Sequence, residues 1–316
     1  MADVSMREAY GRALADYAAT HPDVVALDVD TSASTLSSFF AKRFPERFFN
    51  IGIAEPAMVD VAVGLALGGA IPFANAFACL LSLRALEQVR TCVCYARTNV
   101  KLVAGFAGLS DFKDGATHYS MTDIANLRAL PNITVIVPAD AAEAAAFVSL
   151  VAEYDGPVYL RISRAATLPA HDSTLPLEIG KGLLLRPGAD LTLVATGAMV
   201  GRCRRAAEQL AAEGIDARLV EIHTLKPFDR DLIQQSADET GALVTVEEHS
   251  IIGGLGGAVA ETLVEGRPVP LERVGILDRF CPTGRDPESL LDACGLSEAD
   301  ICRAARRVLE RKPGGR

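Results

Sequence analysis

Apolar positions along this chain recur at two spacings, and the changes between them mark alternating helices and strands. Residues 5–19 carry the spacing of an amphipathic helix, and VVALDV (24–29) is a run of strand length that contains Asp28 and leads into Asp30. In NIGIAEPAMVDVAVGLAL (50–67), Glu55 and Pro56 open a helix whose Met58, Val59, Val61, Ala62, Leu65 and Ala66 recur at helical spacing and are expected to run into the core. Pro is favoured in a first turn, where its missing N–H costs nothing. AIPFAN (70–75) predicts a short strand and 78–97 a long helix with Arg84, Glu87, Arg90 and Arg97 on its polar side. NVKLVAGFA (99–107), ITVIVPAD (133–140) and PVYLRIS (157–163) predict further strands, separated by helices over 122–130 and 141–153. Such a β-α-β series implies a parallel sheet covered on both faces. GLSDFKDGATHYSMTD (108–123), dense in Gly, Asp and hydroxyls, predicts an irregular loop of the kind that carries function.

The pattern lapses over AATLPAHDSTLPLEI (165–179) and then resumes. The expected organisation is therefore an α/β chain of two domains: 1–165, a linker over 166–185, and a smaller α/β domain over 186–316. Within the second domain, EEHSIIGGLGGAV (247–259) superficially suggests a dinucleotide loop. Its glycines, 253, 254, 256 and 257, do not follow G-x-G-x-x-G, and a tight turn is the reading preferred.

Composition narrows the partners. The chain has 316 residues, 50% of them hydrophobic, and a net charge of −9 with its Lys and Arg scattered. That balance excludes nucleic acid and membrane surfaces as expected partners. The N-terminus lacks the order of a signal peptide and no apolar run reaches the length of a span, so a cytoplasmic protein is expected. The seven cysteines lie in apolar periodic segments and are expected to be reduced core thiols. No metal-ligand spacing links them to the histidines, and no metal is expected on this chain.

Two stretches carry candidate chemistry. Glu55 either caps its helix through the helix dipole or does acid–base work from a buried position. Asp30, Ser34 and Thr35 follow the carboxyl end of a strand, where open parallel sheets bind ligands; a turn capping the next helix is the alternative.

RFFNIGIAEPAM (47–58), NVKLVAG (99–105), DGATH (114–118), LRALPNITVIVPADAAE (127–143), GPVYLRISR (156–164), TLKPFD (224–229) and EEHSIIGGLGGAV together resemble the C-terminal half of transketolase, in the form where the enzyme is split into two chains. The resemblance covers nearly the whole sequence. It implies a thiamine-diphosphate enzyme in which a parallel-sheet pyrimidine-binding domain precedes a transketolase C-terminal domain. Glu55 matches the family glutamate that hydrogen-bonds N1′ of the aminopyrimidine and drives it to the imino form that deprotonates the thiazolium carbon. Asp30 would approach the cofactor, with Phe77, Leu80 and Leu83 at the pyrimidine pocket. Asp114 and His118 would contact the donor's hydroxyls and carbonyl, His118 sharing in catalysis. Arg164, with Arg7, Ser34 and Arg161 as further candidates, would grip a sugar phosphate.

The sequence also departs from the family pattern. Phe106 stands where a histidine commonly opens the loop, Leu80 and Leu83 stand where aromatics pack on the pyrimidine, Pro56 and Tyr119 stand where glutamine is frequent and Phe112 where glycine is. The family's G-D-G motif, which holds magnesium and diphosphate, does not occur. The resemblance therefore implies a separate N-terminal subunit carrying that motif and the Mg2+, a heterotetramer of two plus two chains, and small sugar or sugar-phosphate substrates. The expected reaction moves a two-carbon ketol unit between a ketose and an aldose. A deoxyxylulose-phosphate-synthase-like or 2-oxoacid-dehydrogenase-β-like subunit is the enzymatic alternative, and a non-catalytic stabilising partner the alternative of another class.

Overall fold

The computed structural model describes residues 4–171 and 176–312. Its first sheet uses β1 (Val24–Asp28), β2 (Phe48–Asn50), β3 (Ile71–Phe77), β4 (Lys101–Gly105), β5 (Thr134–Ile136) and β6 (Val158–Arg161). The second uses β7 (Leu183–Arg186), β8 (Leu191–Ala195), β9 (Ala217–Glu221), β11 (Leu243–Ser250) and β12 (Leu271–Ile276), and between β9 and β11 comes β10 (Thr224–Lys226). Strand order is β10-β5-β6-β4-β3-β1-β2 in one sheet and β12-β11-β8-β9-β7 in the other. All pairings are parallel except those of β10 and β7. Every residue of β1, β4, β5 and β6 is buried, as strands covered on both faces require. The expected mixed α/β architecture with parallel sheets is thus observed.

Several elements differ from the pattern-based reading. β2, β10 and the helices Ser32–Thr35, Ser38–Arg43 and Pro287–Ala293 are too short for periodicity to mark. β7 begins inside the stretch read as linker, of which 172–175 lie outside the described residues. The long helix over 78–97 is broken into Ala78–Leu83, Leu86–Gln88 and a π-helical turn, Val89–Tyr95. At the first break both Arg84 and Ala85 donate their N–H groups to Leu80 O, at 2.8 and 3.2 Å. The helix Glu55–Leu67 buries only Glu55, Met58, Val59 and Ala62. Its Val61 and Leu67, with Ile53, Leu83 and Tyr95, are between 40% and 84% exposed, so this helix does not run wholly into the core as expected. Cys281 and Cys294 are bonded to one another, their Cα atoms 6.2 Å apart, and the other five cysteines are free, which corrects the expectation of seven thiols.

The two halves meet along a polar, buried seam. Through β10 the second half lends an edge strand to the first sheet, and Val137 N donates to His223 O at 2.7 Å. Arg161, expected among the phosphate ligands, lies inside this seam instead, 6% exposed. Its Nε donates to Asp123 Oδ2 at 2.8 Å and its Nη2 to the carbonyls of Ser120 and Glu248 at 3.2 and 3.1 Å. These bonds hold the Arg161 guanidinium in the seam, with three of its contacts made to protein oxygens. The Glu248 carboxylate accepts from Leu109 N at 2.6 Å, and a Cβ at Gly108 (φ +62°) would stand 2.4 Å from the same carboxyl group. A glycine is required there by both space and backbone.

Burial pushes the Asp123 carboxyl up, but Arg161, His249 and the Tyr159 hydroxyl outweigh it and leave its pKa lowered. Arg161→Met should therefore strand a buried carboxylate and cost about 3–5 kcal/mol in denaturant unfolding. In the wild type this contribution is complete above the unfolded carboxyl value of about 4 and is lost as pH falls through the lower folded value. The variant should lose that acid limb. A variant as stable as wild type at neutral pH would show that the pair does not hold the seam.

Candidate active site

Glu55 occupies the first turn of its helix, 1% exposed. Its Oε2 accepts a hydrogen bond from Arg84 Nη1 at 2.7 Å, while Oε1 is buried without a partner. The wholly apolar surrounding suggested by the sequence is thus interrupted by one guanidinium, itself 49% exposed. Arg84 belongs to the segment where the expected long helix breaks. Leu80 is half-buried and Leu83 is 59% exposed.

Phe77, half-buried at the end of β3, stacks on Phe106 with ring centroids 4.3 Å apart and meets His118 edge-on at 6.0 Å. Phe106 is buried and holds a left-handed backbone, φ +58°, unusual for an aromatic residue. The guanidinium carbons of Arg164 and Arg7 lie 5.0 and 5.6 Å from the centre of the Phe106 ring. Arg7 Nη1 donates to Ser34 O at 2.7 Å, and Arg164 Nη1 is bound by the Asp111 carboxylate. Three of the four residues expected at an anion, Arg7, Ser34 and Arg164, are therefore brought together; Arg161 is not among them.

Burial, and then the neighbouring Arg164, lowers the pKa of Arg7. Burial, and then Asp114, raises that of Asp111, against Arg164. Two cations held this close favour an anion near both. Beside them an open hollow of about 390 Å³ is lined by Arg7, Ser110, Phe112, Arg164, Pro287 and Glu288. Asp114 is exposed on the same loop, and the half-buried His118 places Nδ1 3.0 Å from Thr117 Oγ1. The Tyr119 hydroxyl donates to Pro282 O at 2.8 Å, fastening this loop to the second half.

Asp30 is exposed, with φ +66°. Its N–H donates to Asn50 Oδ1 at 2.9 Å and its Oδ1 accepts from Asn50 Nδ2 at 3.2 Å, on the segment that leads to Glu55. The turn that follows is braced by its neighbour Asp28 and not by Asp30. That buried carboxylate accepts from Thr31 N, Thr35 Oγ1 and Ser37 Oγ at 2.5, 2.9 and 2.9 Å. Thr35 is consequently part of a turn and not an open ligand.

The glycine stretch after β11 forms a turn whose following helix start is already occupied by a side chain of this chain. The Glu247 carboxylate fills the following helix N-terminus, accepting from Leu255 N and Gly256 N at 2.7 and 2.8 Å, and a Cβ at Gly254 would lie 2.0 Å from its Oε2. Sequence reasoning did not assign Arg84, Asp111 or Asp123. Of these, Asp111 had a visible signal as an acid in a Gly-rich loop three residues before Asp114.

Two family models match the chain, the transketolase pyrimidine binding domain over residues 2–168 and the transketolase C-terminal domain over 180–301. A transketolase C-terminal section from Methanocaldococcus jannaschii is 45% identical over 308 residues, covering 96% of this chain and 95% of its own. A 6-deoxy-6-sulfo-D-fructose transketolase subunit from Clostridium sp. strain MSTE9 is 42% identical over 307 residues, covering 97% and 95%. A solved split gene transketolase, described as an inactive beta4 tetramer, superposes with a TM-score of 0.89 at 46% identity, covering 98% of this chain and 99% of its own. With both domain models matched in order and such relatives spanned almost end to end, the chain belongs to the transketolase family, as its pyrimidine-binding and C-terminal domains.

Proposed function

We propose that this chain is the pyrimidine-binding subunit of a two-chain transketolase, which moves a two-carbon ketol unit between a ketose and an aldose with thiamine diphosphate. The observation that carries the reading is the orphaned Glu55 Oε1, a buried acceptor at a helix start with no partner of its own. An unpartnered buried carboxylate oxygen is costly unless a donor completes it, and a protonated ring nitrogen is such a donor. The residues present therefore fit the cofactor's aminopyrimidine. When bound, thiamine diphosphate supplies an acidic thiazolium carbon and an electron sink.

Glu55 would hold and return the proton at N1′ while Arg84 fixes its other oxygen. Asp30 would lie beside the cofactor, Phe77 and the aliphatic Leu80 and Leu83 would fill space around the pyrimidine, and Asp114 and His118 would orient the donor's hydroxyls and carbonyl. Arg7 and Arg164, with Ser34, would bind an anionic group at the far end of the sugar. The sulfonated sugar in the name of the Clostridium relative supports an anion of some kind there.

A second subunit completes the site in this reading. It would bring the G-D-G motif, Mg2+ and the diphosphate ligands, in an assembly of two plus two chains. The exposed Ile53, Val61, Leu67, Leu83 and Tyr95 support a docking face on this side of the Glu55 helix. A cytoplasmic setting belongs to this reading, and no described helix is long and apolar enough to cross a membrane.

Glu55→Gln keeps the shape but cannot take up the N1′ proton, so in the assembled enzyme it should slow thiazolium C2 hydrogen exchange by about two orders of magnitude or more while leaving assembly intact. Unchanged exchange, followed by NMR in deuterated buffer, would remove Glu55 from this role. Arg164→Ala should raise KM for an anionic ketose roughly 10- to 100-fold with little effect on a neutral one, since it deletes a charge-assisted contact remote from the bond broken. Phe106→His should shift preference toward ordinary sugar phosphates. Both are read from the ratio of kcat/KM for phosphorylated over free ketose, and a ratio unmoved in either variant would place anion recognition elsewhere.

A further inference from the structure

Away from the Glu55 pocket, the seam gathers a second set of ionisable side chains. Glu143 lies in the first turn of the helix Ala141–Glu153, His171 in the connection between the two halves, and Glu221 at the end of β9. One ligand atom from each lies within 4.8 Å of the other two. Glu143 and Glu221 are 1% and 0% exposed, and the His171 side chain 12%.

Glu143 is largely satisfied: Oε2 accepts from Ala139 N at 2.8 Å and Oε1 faces His171 Nε2 at 3.1 Å. Glu221 is not, for neither of its carboxylate oxygens has a hydrogen-bond partner. Two carboxyl groups this close in an apolar interior cannot both ionise without a cation between them. Either a proton or a metal ion must occupy the gap.

We propose that Glu143, His171 and Glu221 form a divalent transition-metal site, with Zn2+ as its occupant, that ties the connecting segment to both domains. One imidazole and two carboxylates make a three-ligand set for Zn2+, with a fourth position open to water. Mg2+ and Ca2+ are disfavoured, because they prefer all-oxygen shells of six or more ligands and an imidazole supplies none. The three positions are 28 and 50 residues apart, as 143, 171 and 221, so no local motif announces them. The site is separate from the magnesium that the partner subunit would hold, and it does not depend on the reading of Glu55.

The test uses the full-length chain, stripped with a chelator and titrated with ZnCl2 and, separately, CoCl2. Expected are one Zn2+ per chain by elemental analysis after dialysis, a rise in Tm on adding Zn2+, and visible Co2+ bands of a four-coordinate N/O site without thiolate charge-transfer absorption. Glu221→Gln and His171→Ala should each weaken Zn2+ binding by roughly 100-fold or more and abolish the Co2+ bands, since losing a direct ligand exceeds the effect of losing an outer partner. If Glu221→Gln does not fold, His171→Ala, on a partly exposed connection, decides. Absence of Zn2+ uptake and of a Tm shift, thiolate absorption in the Co2+ spectrum, or wild-type affinity in the variant would each overturn the site and leave a shared proton between the two glutamates.

Discussion

A guanidinium and a carboxylate buried between two domains tolerate little displacement, and Arg161 with Asp123 forms such a pair in this chain. Charges removed from water are costly unless geometry and further hydrogen bonds compensate them. Here Tyr159, Ser120 and Glu248 supply those bonds, from the first sheet, the loop before Asp123 and the second domain. The loop over 108–123 is consequently pinned near both ends, by Leu109 on Glu248 and by Ser120 and Asp123 on Arg161. Asp111, Asp114 and His118 lie between those pins. The positions of the expected substrate contacts thus depend on a contact buried in the seam between the two domains.

The second constraint is the half-finished character of the Glu55 helix. An apolar helix is normally surrounded, yet this one exposes Val61 and Leu67 beside Ile53 and Leu83. The first residue of the same helix carries a carboxylate with one oxygen paired to a half-exposed arginine and the other unpaired. Both features are unfavourable in an isolated chain and both would be relieved by covering the helix. Stability and function therefore make the same demand for a partner surface.

Most of the fold was legible because long apolar runs separated by amphipathic helices leave few alternatives: the ranges 122–130 and 141–153 fall within a residue or two of Asp123–Ala129 and Ala141–Glu153. The break near Arg84 was not legible, because the pattern over 78–97 is continuous and only the hydrogen bonds to Leu80 O reveal the change of pitch. Arg161 and Arg164 look equivalent in sequence. They diverge because one ends a buried strand and the other lies three residues on, beyond it, where the chain leaves the sheet. The 143, 171 and 221 cluster was invisible because it forms only when the two domains close on each other.

Phe106 shows how strain and contacts balance at the centre of the candidate site. A left-handed backbone at a non-glycine residue costs on the order of 1–3 kcal/mol, and histidine adopts it more readily than phenylalanine. Backbone geometry alone would therefore favour the histidine common in the family. The phenylalanine is offset by its ring contacts: an aromatic pair with Phe77 is worth about 0.5–1.5 kcal/mol beyond area, and each cation over the ring about 0.5–2, here Arg164 and Arg7. These sums are comparable to the strain, so the ring is held by the two arginines as much as it holds them. A histidine in its place could also carry a positive charge, which between two guanidiniums would repel both. Phe106 keeps that pair of cations together without adding a third, and this ties the departure from the family pattern to the proposed anion site.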